Sequence, residues 1–165
     1  ARSAVVHTDD LAWHEPFFAW GHLLRDEILV TLHRGEGVRF QPPAGGLHGR
    51  EGVIEVAAEA DLVVIEGVGA SQREFEHFVD ASIWVQSDFQ EAERRGIARD
   101  MAEGVNGDRE QTIAFWHEWM AHEVRFLAEQ RPWERACLVV AGSPTIDLDE
   151  GQFAVAPAPS NNPWL

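Results

Sequence analysis

Short β-branched apolar runs recur along the chain, separated by longer stretches in which apolar residues return every three or four positions. Ala4 to His7 is the first such run. It ends in Thr8-Asp9-Asp10, so the pattern predicts a strand that delivers carboxylates at its C-terminal edge. From Pro16 to Arg34 the residues Trp20, Leu23, Leu24, Ile28 and Leu32 follow a helical period, with Pro16 suited to a first turn and Gly35 to a stop. Val38 to Gln41 and Val53 to Val56 read as short strands flanking a Pro- and Gly-rich loop over 42–50, an excursion from the main sheet. Leu62-Val63-Val64-Ile65 is a continuous apolar run closed by Glu66-Gly67, the pattern of a parallel strand covered on both faces; Ile83-Trp84-Val85 and Leu138-Val139-Val140-Ala141 repeat it. Ser87-Asp88-Phe89-Gln90 has the spacing of a capping box and opens a charged helix reaching Gly104. A second helix, Arg109 to Gln130, carries Ile113, Trp116, Met120, Val124 and Leu127 on one stripe and stops before Pro132. The tail from Gly151 to Leu165 offers one edge strand, Phe153 to Val155, and then loosely held Ala, Pro and Asn.

Strands alternating with helices predict an α/β domain with a mostly parallel sheet flanked by helices, whose ligand crevice lies beyond the C-terminal ends of the strands. That rule selects Asp9 and Asp10, Glu66-Gly67, Gln86-Ser87 and Gly142-Ser143-Pro144. No internal repeat or second domain is evident, so 1–165 reads as one domain.

Charge narrows the partners. The 13 basic residues face 28 acidic ones, a formal net charge of −15, and every basic residue is arginine. Such a surface repels a polyphosphate backbone, which argues against nucleic acid. No apolar run is long enough to span a bilayer and no leader pattern opens the chain, which argues against a membrane. The lone cysteine, Cys137, cannot form an internal disulfide; its setting reads as a buried strand in a reducing, cytoplasmic protein.

Two carboxylates at one strand end and a third closing another strand suit phosphoryl transfer, in which one acid accepts a hydroxyl proton and another holds magnesium hydration. The same residues serve equally as turn caps. Arg95 and Arg99, four apart, share a helix face and present planar donors matched to phosphoryl oxygens; their alternative is a solvated face paired with Glu91 and Glu93. His117 and His122 are five apart, about 140° around a helix, and do not form a zinc pair. Trp13 and Phe17 are candidates to stack on a base, whereas Trp20 belongs to the apolar stripe. His7, at a strand end, reads equally as a satisfied core residue.

The segments Val5-Val6-His7-Thr8-Asp9-Asp10-Leu11-Ala12-Trp13, Leu62-Val63-Val64-Ile65-Glu66-Gly67-Val68 and Arg94-Arg95-Gly96-Ile97-Ala98-Arg99-Asp100, in that order, resemble successive signatures of the uridine kinase-like P-loop kinases. With Cys137 to Pro144 they organise most of the chain. The resemblance implies a P-loop kinase-like three-layer fold and a phosphotransferase that uses ATP and Mg²⁺ on a nucleoside or similarly sized hydroxyl compound. It places the base at Asp9, with Asp10 the alternative because the doublet leaves the register open. Trp13 then walls the substrate, Glu66 lies near magnesium and the substrate sugar, and Arg95 and Arg99 belong to a lid within 88–130. Gly142, Ser143 and Pro144 fall beside the adenine. The excursion holding His48 and Arg50 occupies the place of a substrate-covering hairpin, where both residues suit polar edges of a base or sugar; they serve equally as a surface loop.

One departure is large. The family's opening strand and Gly-x-x-x-x-Gly-Lys-Ser/Thr loop have no counterpart here, since the chain contains no lysine, and Gly45-Gly46-Leu47-His48-Gly49-Arg50 has neither that spacing nor its strand-then-helix context. The resemblance therefore implies some tens of residues upstream, or another segment filling the gap. The rival expectation is a non-catalytic ligand-binding or interaction module on the same scaffold.

Overall fold

A computed structural model describes residues 2–49 and 51–157. The chain is of mixed α/β class and divides into two compact units, 1–80 and 81–165.

In the first unit, strand β1 (Ser3–His7) runs straight into a single helical turn, α1 (Thr8–Ala12). β1 pairs in parallel with β4 (Leu62–Glu66), in a register that sets Ser3 beside Leu62, Val5 beside Val64 and His7 beside Glu66. A helical segment over 21–33 (α2) follows α1, and its middle, Leu24–Leu29, is wound as a π-helix. It begins later than the periodicity predicts. Phe18 sits at φ 61°, a left-handed conformation that no α-helix continues through, so Pro16 to Trp20 form turns instead. Gly35, at φ 74°, stands just past the helix end as expected. Strands β2 (Val38–Phe40) and β3 (Ile54–Val56) pair antiparallel as a separate hairpin, the predicted excursion. Its connection is not all loop: Pro43 at the first helical position and Gly49 in the left-handed cap bound a short helix, α3 (Pro43–His48). Val6, Leu11, Trp20, Leu24, Ile28, Val38, Val56 and Phe75 form the core of this unit.

In the second unit, β5 (Ile83–Gln86) pairs in parallel with β6 (Leu138–Ala141), and β7 (Val155–Pro157) adds antiparallel to β6. β7 starts two residues later than the sequence suggests. Helix α4 (Phe89–Glu103) is capped by Asp88, which accepts from the Glu91 N–H at 2.9 Å; the cap lies one residue beyond the Ser87 that the capping-box spacing selects. Helix α5 (Arg109–Gln130) has the predicted bounds and a full capping box, Asp108 with Gln111.

Four expectations are corrected. No continuous sheet joins the strands; among the described residues there are two parallel ladders, one of them extended by antiparallel β7, and one hairpin. The apolar strands are covered on one face only, because each ladder packs its alternate residues inward. Leu62 is 55% and Ile83 58% exposed, with Val5, Val64, Val85 and Leu138 exposed beside them. Cys137 is exposed and precedes β6 instead of lying in it. On α5, Ile113, Trp116, Met120 and Leu127 face inward as predicted, but Val124 is exposed and the neighbouring Glu123 is half-buried in its place. No helix among the described residues is long and apolar enough to cross a membrane.

Candidate functional site

The first locus lies at the C-terminal ends of β1 and β4. The parallel register brings His7 and Glu66, 59 residues apart in sequence, side by side, and His7 Nδ1 is bonded to Glu66 Oε1. Both side chains remain open to solvent, 57% and 53% exposed. The hydrogen bond to Glu66 raises the His7 pKa above the ordinary histidine value; the nearby charges of Glu66, Asp10 and Asp9 add to this, against a smaller cost of desolvation. Thr8 is buried and donates its hydroxyl to the Val68 carbonyl at 3.2 Å. Opposite it, Gly67 holds φ 117°, and a Cβ there would sit 2.1 Å from Thr8 Oγ1. The Glu-Gly pair thus has a physical reason: glycine lets the chain turn at the strand end while Thr8 closes on it. Asp9 and Asp10 stand in the first turn of α1, Asp9 exposed and Asp10 half-buried.

Magnesium takes an oxygen donor set. Glu66 gives one oxygen to an imidazole, and among the described residues no three His, Cys, Asp or Glu side chains are grouped to hold a metal ion. The described residues do not build a magnesium cage.

Beyond α1, the fold brings Trp13 and His48 together through a residue that sequence reasoning missed. His14, at φ 61°, stacks on His48 with ring centroids 3.9 Å apart and planes 16° from parallel. Trp13 meets both rings edge-on, at 4.5 Å from His14 and 5.8 Å from His48. Helix α3 thus folds the excursion back over the segment after α1. Only adjacency to Trp13 could have flagged His14, since its left-handed backbone leaves no periodic signal. Arg50 lies outside the described residues.

The second locus lies at the C-terminal ends of β5 and β6. A cavity of about 550 Å³ opens there, lined by Gln86, Ser87, Asp88, Phe89, Val139 and Ser143 among others. Of Gly142, Ser143 and Pro144, Ser143 lines it, and its buried Oγ has no hydrogen-bond partner among the described residues. Gly142 passes so close to Ser87 that a Cβ would lie 2.2 Å from its Oγ, and the Gly142 N–H donates to the Gln86 carbonyl at 2.8 Å. Among the described residues no arginine lines this cavity.

The helix-borne arginines are engaged inside the unit. Arg95 donates to Glu91 at 2.7 Å and more weakly to the Gly142 carbonyl at 3.4 Å, and Arg94 donates to the same Glu91. These bonds hold the Glu91 carboxyl down at about 2. Arg99 pairs with Asp100 at 2.8 Å. Asp100 is only 3% exposed and also accepts from Trp116 Nε1 at 2.7 Å and Asn106 at 3.1 Å. Glu93, the other expected partner, instead pairs with His117 at 3.0 Å.

A scan of the chain against protein-family models gives no match, and a search among curated proteins gives none either.

Proposed function

We propose that the protein is a phosphotransferase of the uridine kinase-like type, passing the γ-phosphoryl group of ATP to a hydroxyl of a nucleoside or similarly sized polar molecule. The observation that carries this reading is the alignment of strand ends. The two carboxylate-bearing signatures, far apart in sequence, end as neighbours on one parallel ladder with His7 beside Glu66. A parallel ladder's C-terminal edge is where α/β enzymes bind ligands. The Trp13, His14 and His48 rings supply flat aromatic faces of the kind a nucleobase stacks on. In the second unit, the segment that resembles the adenine loop borders a cavity with apolar walls and an unpaired Ser143 hydroxyl, suited to a polar heterocycle.

The resemblance also calls for a strand and phosphate loop that 1–165 lacks. Among the described residues one edge of β4 and one of β5 are unpaired, and such edges accept a further strand. The rival, a non-catalytic binding module, draws support from Arg95 and Arg99, both engaged by internal carboxylates.

The test is ADP release by the natural full-length protein supplied with magnesium-ATP and a panel of nucleosides, sugars and other hydroxyl compounds. Acceptor-dependent ADP release supports the kinase. Saturable acceptor binding with no ADP release supports the binding module and defeats the kinase.

A further inference from the structure

We infer that Asp100 is a positioning residue for Arg99: its buried carboxylate, anchored from α5 and from the turn after α4, holds the guanidinium in the orientation in which it meets a phosphoryl group. This rests on the phosphotransferase reading, which sets Arg99 at the transferring phosphate, and adds the group that aims the arginine.

Asp100 is 3% exposed, the only buried carboxylate among the described residues. Its two oxygens serve different partners. Oδ2 accepts from Trp116 Nε1 at 2.7 Å and from Asn106 Nδ2 at 3.1 Å, so α5 and the turn after α4 both fix it. Among the described residues Oδ1 accepts only from Arg99, from Nε at 2.9 Å and from Nη2 at 2.8 Å. That side-on grip turns the Nη1 end of the guanidinium away from Asp100, while the Arg99 side chain stays 60% exposed. Gly96, one turn earlier on α4, makes the room: a Cβ there would stand 2.0 Å from the Trp116 ring, so the indole reaches Asp100 only because residue 96 has no side chain.

Charge carries the inference. A buried carboxylate is costly unless an opposite charge meets it. Trp116 and Asn106 are neutral donors that an amide oxygen would satisfy as well, so tying α4 to α5 does not call for an aspartate. Only Arg99 makes use of the charge. It is the next residue in the chain, on the same helix, so the ion pair adds nothing to the packing of one helix on the other. What the pair does is fix a long side chain that would otherwise spread over many rotamers, and a guanidinium aimed in advance needs no reorganisation when charge builds on phosphoryl oxygens. Arg95 has no such dedicated partner. Its Nε lies on Glu91, a more exposed carboxylate that Arg94 shares.

The experiment measures kcat and KM for ATP in the natural full-length protein, using the most active acceptor of the panel. The variants are Asp100→Asn, Arg99→Ala and the double substitution, each with a thermal melt, and Arg94→Ala serves as control. Asp100→Asn should lower kcat at least tenfold with KM for ATP within about twofold, and Arg99→Ala should lower kcat at least a hundredfold. The double variant should be no slower than Arg99→Ala, because Asp100 acts only through that arginine. Arg94→Ala should keep wild-type turnover. Trp116→Phe, which keeps an aromatic ring and removes the N–H to Oδ2, gives a second route if Asp100→Asn does not fold. It should lower kcat at least threefold in the wild type and leave Arg99→Ala unchanged. A purely structural aspartate lowers kcat by the same factor with or without Arg99. Such additive losses in either cycle, full turnover in folded Asp100→Asn, or full turnover in Arg99→Ala would each overturn the assignment while leaving the kinase standing. Absence of acceptor-dependent transfer by the wild type would remove the kinase reading and this assignment with it.

Discussion

Gly96→Ala is expected to destabilise the second unit, although alanine ordinarily favours a helix over glycine by about 1 kcal/mol. Gly96 lies on the face of α4 that meets α5, and a Cβ built there would stand 2.0 Å from two carbons of the Trp116 ring. Carbon atoms rest about 3.5 to 4 Å apart. The ring must therefore move by more than about 1 Å, yet its Nε1 is tied to the buried Asp100 at 2.7 Å. Overpacking costs about 1 to 3 kcal/mol, and a lost hydrogen bond to a buried charged group costs about 1.5 to 3 kcal/mol. Set against the alanine gain of about 1 kcal/mol, the net loss is about 1.5 to 5 kcal/mol. Urea unfolding followed by circular dichroism measures it, and the same substitution in a Trp116→Ala background provides the control. With the ring gone, Gly96→Ala should change sign and stabilise by up to about 1 kcal/mol. If Gly96→Ala is as stable as the wild type with Trp116 present, the close packing of α4 on α5 is refuted.

Glu123 has a folded-state pKa raised to about 7 by burial, above the ordinary carboxyl value. The folded state then holds a proton that the unfolded chain releases, so stability should fall as pH rises from about 4.5 to 7 and level off above it. The total is at most about 3 kcal/mol; Glu123→Gln should abolish that fall in urea titrations at stepped pH, and an unchanged profile would contradict the burial. Gly67→Ala should lower the melting temperature by several degrees, because the added methyl meets Thr8 Oγ1 at a backbone conformation alanine avoids; Thr8→Ala in the same chain should restore part of the loss. Arg99→Ala should cost about 1 kcal/mol of stability, since Asp100 keeps only neutral donors. If Arg99 also meets the transferring phosphate, turnover should fall at least about a hundredfold, equivalent to about 2.7 kcal/mol; normal turnover would leave it a purely structural partner of Asp100.

The elements were largely legible in the sequence. The apolar runs at Ala4–His7, Leu62–Ile65, Ile83–Val85 and Leu138–Ala141 became strands, three of them one residue longer than read, and Arg109–Gln130 became a helix with both ends placed correctly. These signals are local, fixed by side-chain periodicity and caps. What periodicity does not encode is which strands pair and in what register, and the His7–Glu66 contact depends on both. Exposure was misread for a related reason: a continuous apolar run suits a strand covered on both faces, but whether a second layer covers it depends on distant chain. The late start of α2 follows from the left-handed Phe18 backbone, which no residue type announced. At the site, Asp9, Asp10 and Glu66 reached one strand edge and Trp13 met His48, whereas Arg95 and Arg99 proved to be held by Glu91 and Asp100.

The most direct test of the phosphotransferase reading follows the γ-phosphate itself. The natural full-length protein is incubated with magnesium-ATP and each nucleoside in turn, and ³¹P NMR records where the phosphoryl group goes. The account predicts a phosphomonoester resonance that grows in step with ADP and needs the acceptor. ATP that stays intact with every acceptor, or yields only inorganic phosphate at a rate indifferent to the acceptor, would contradict it.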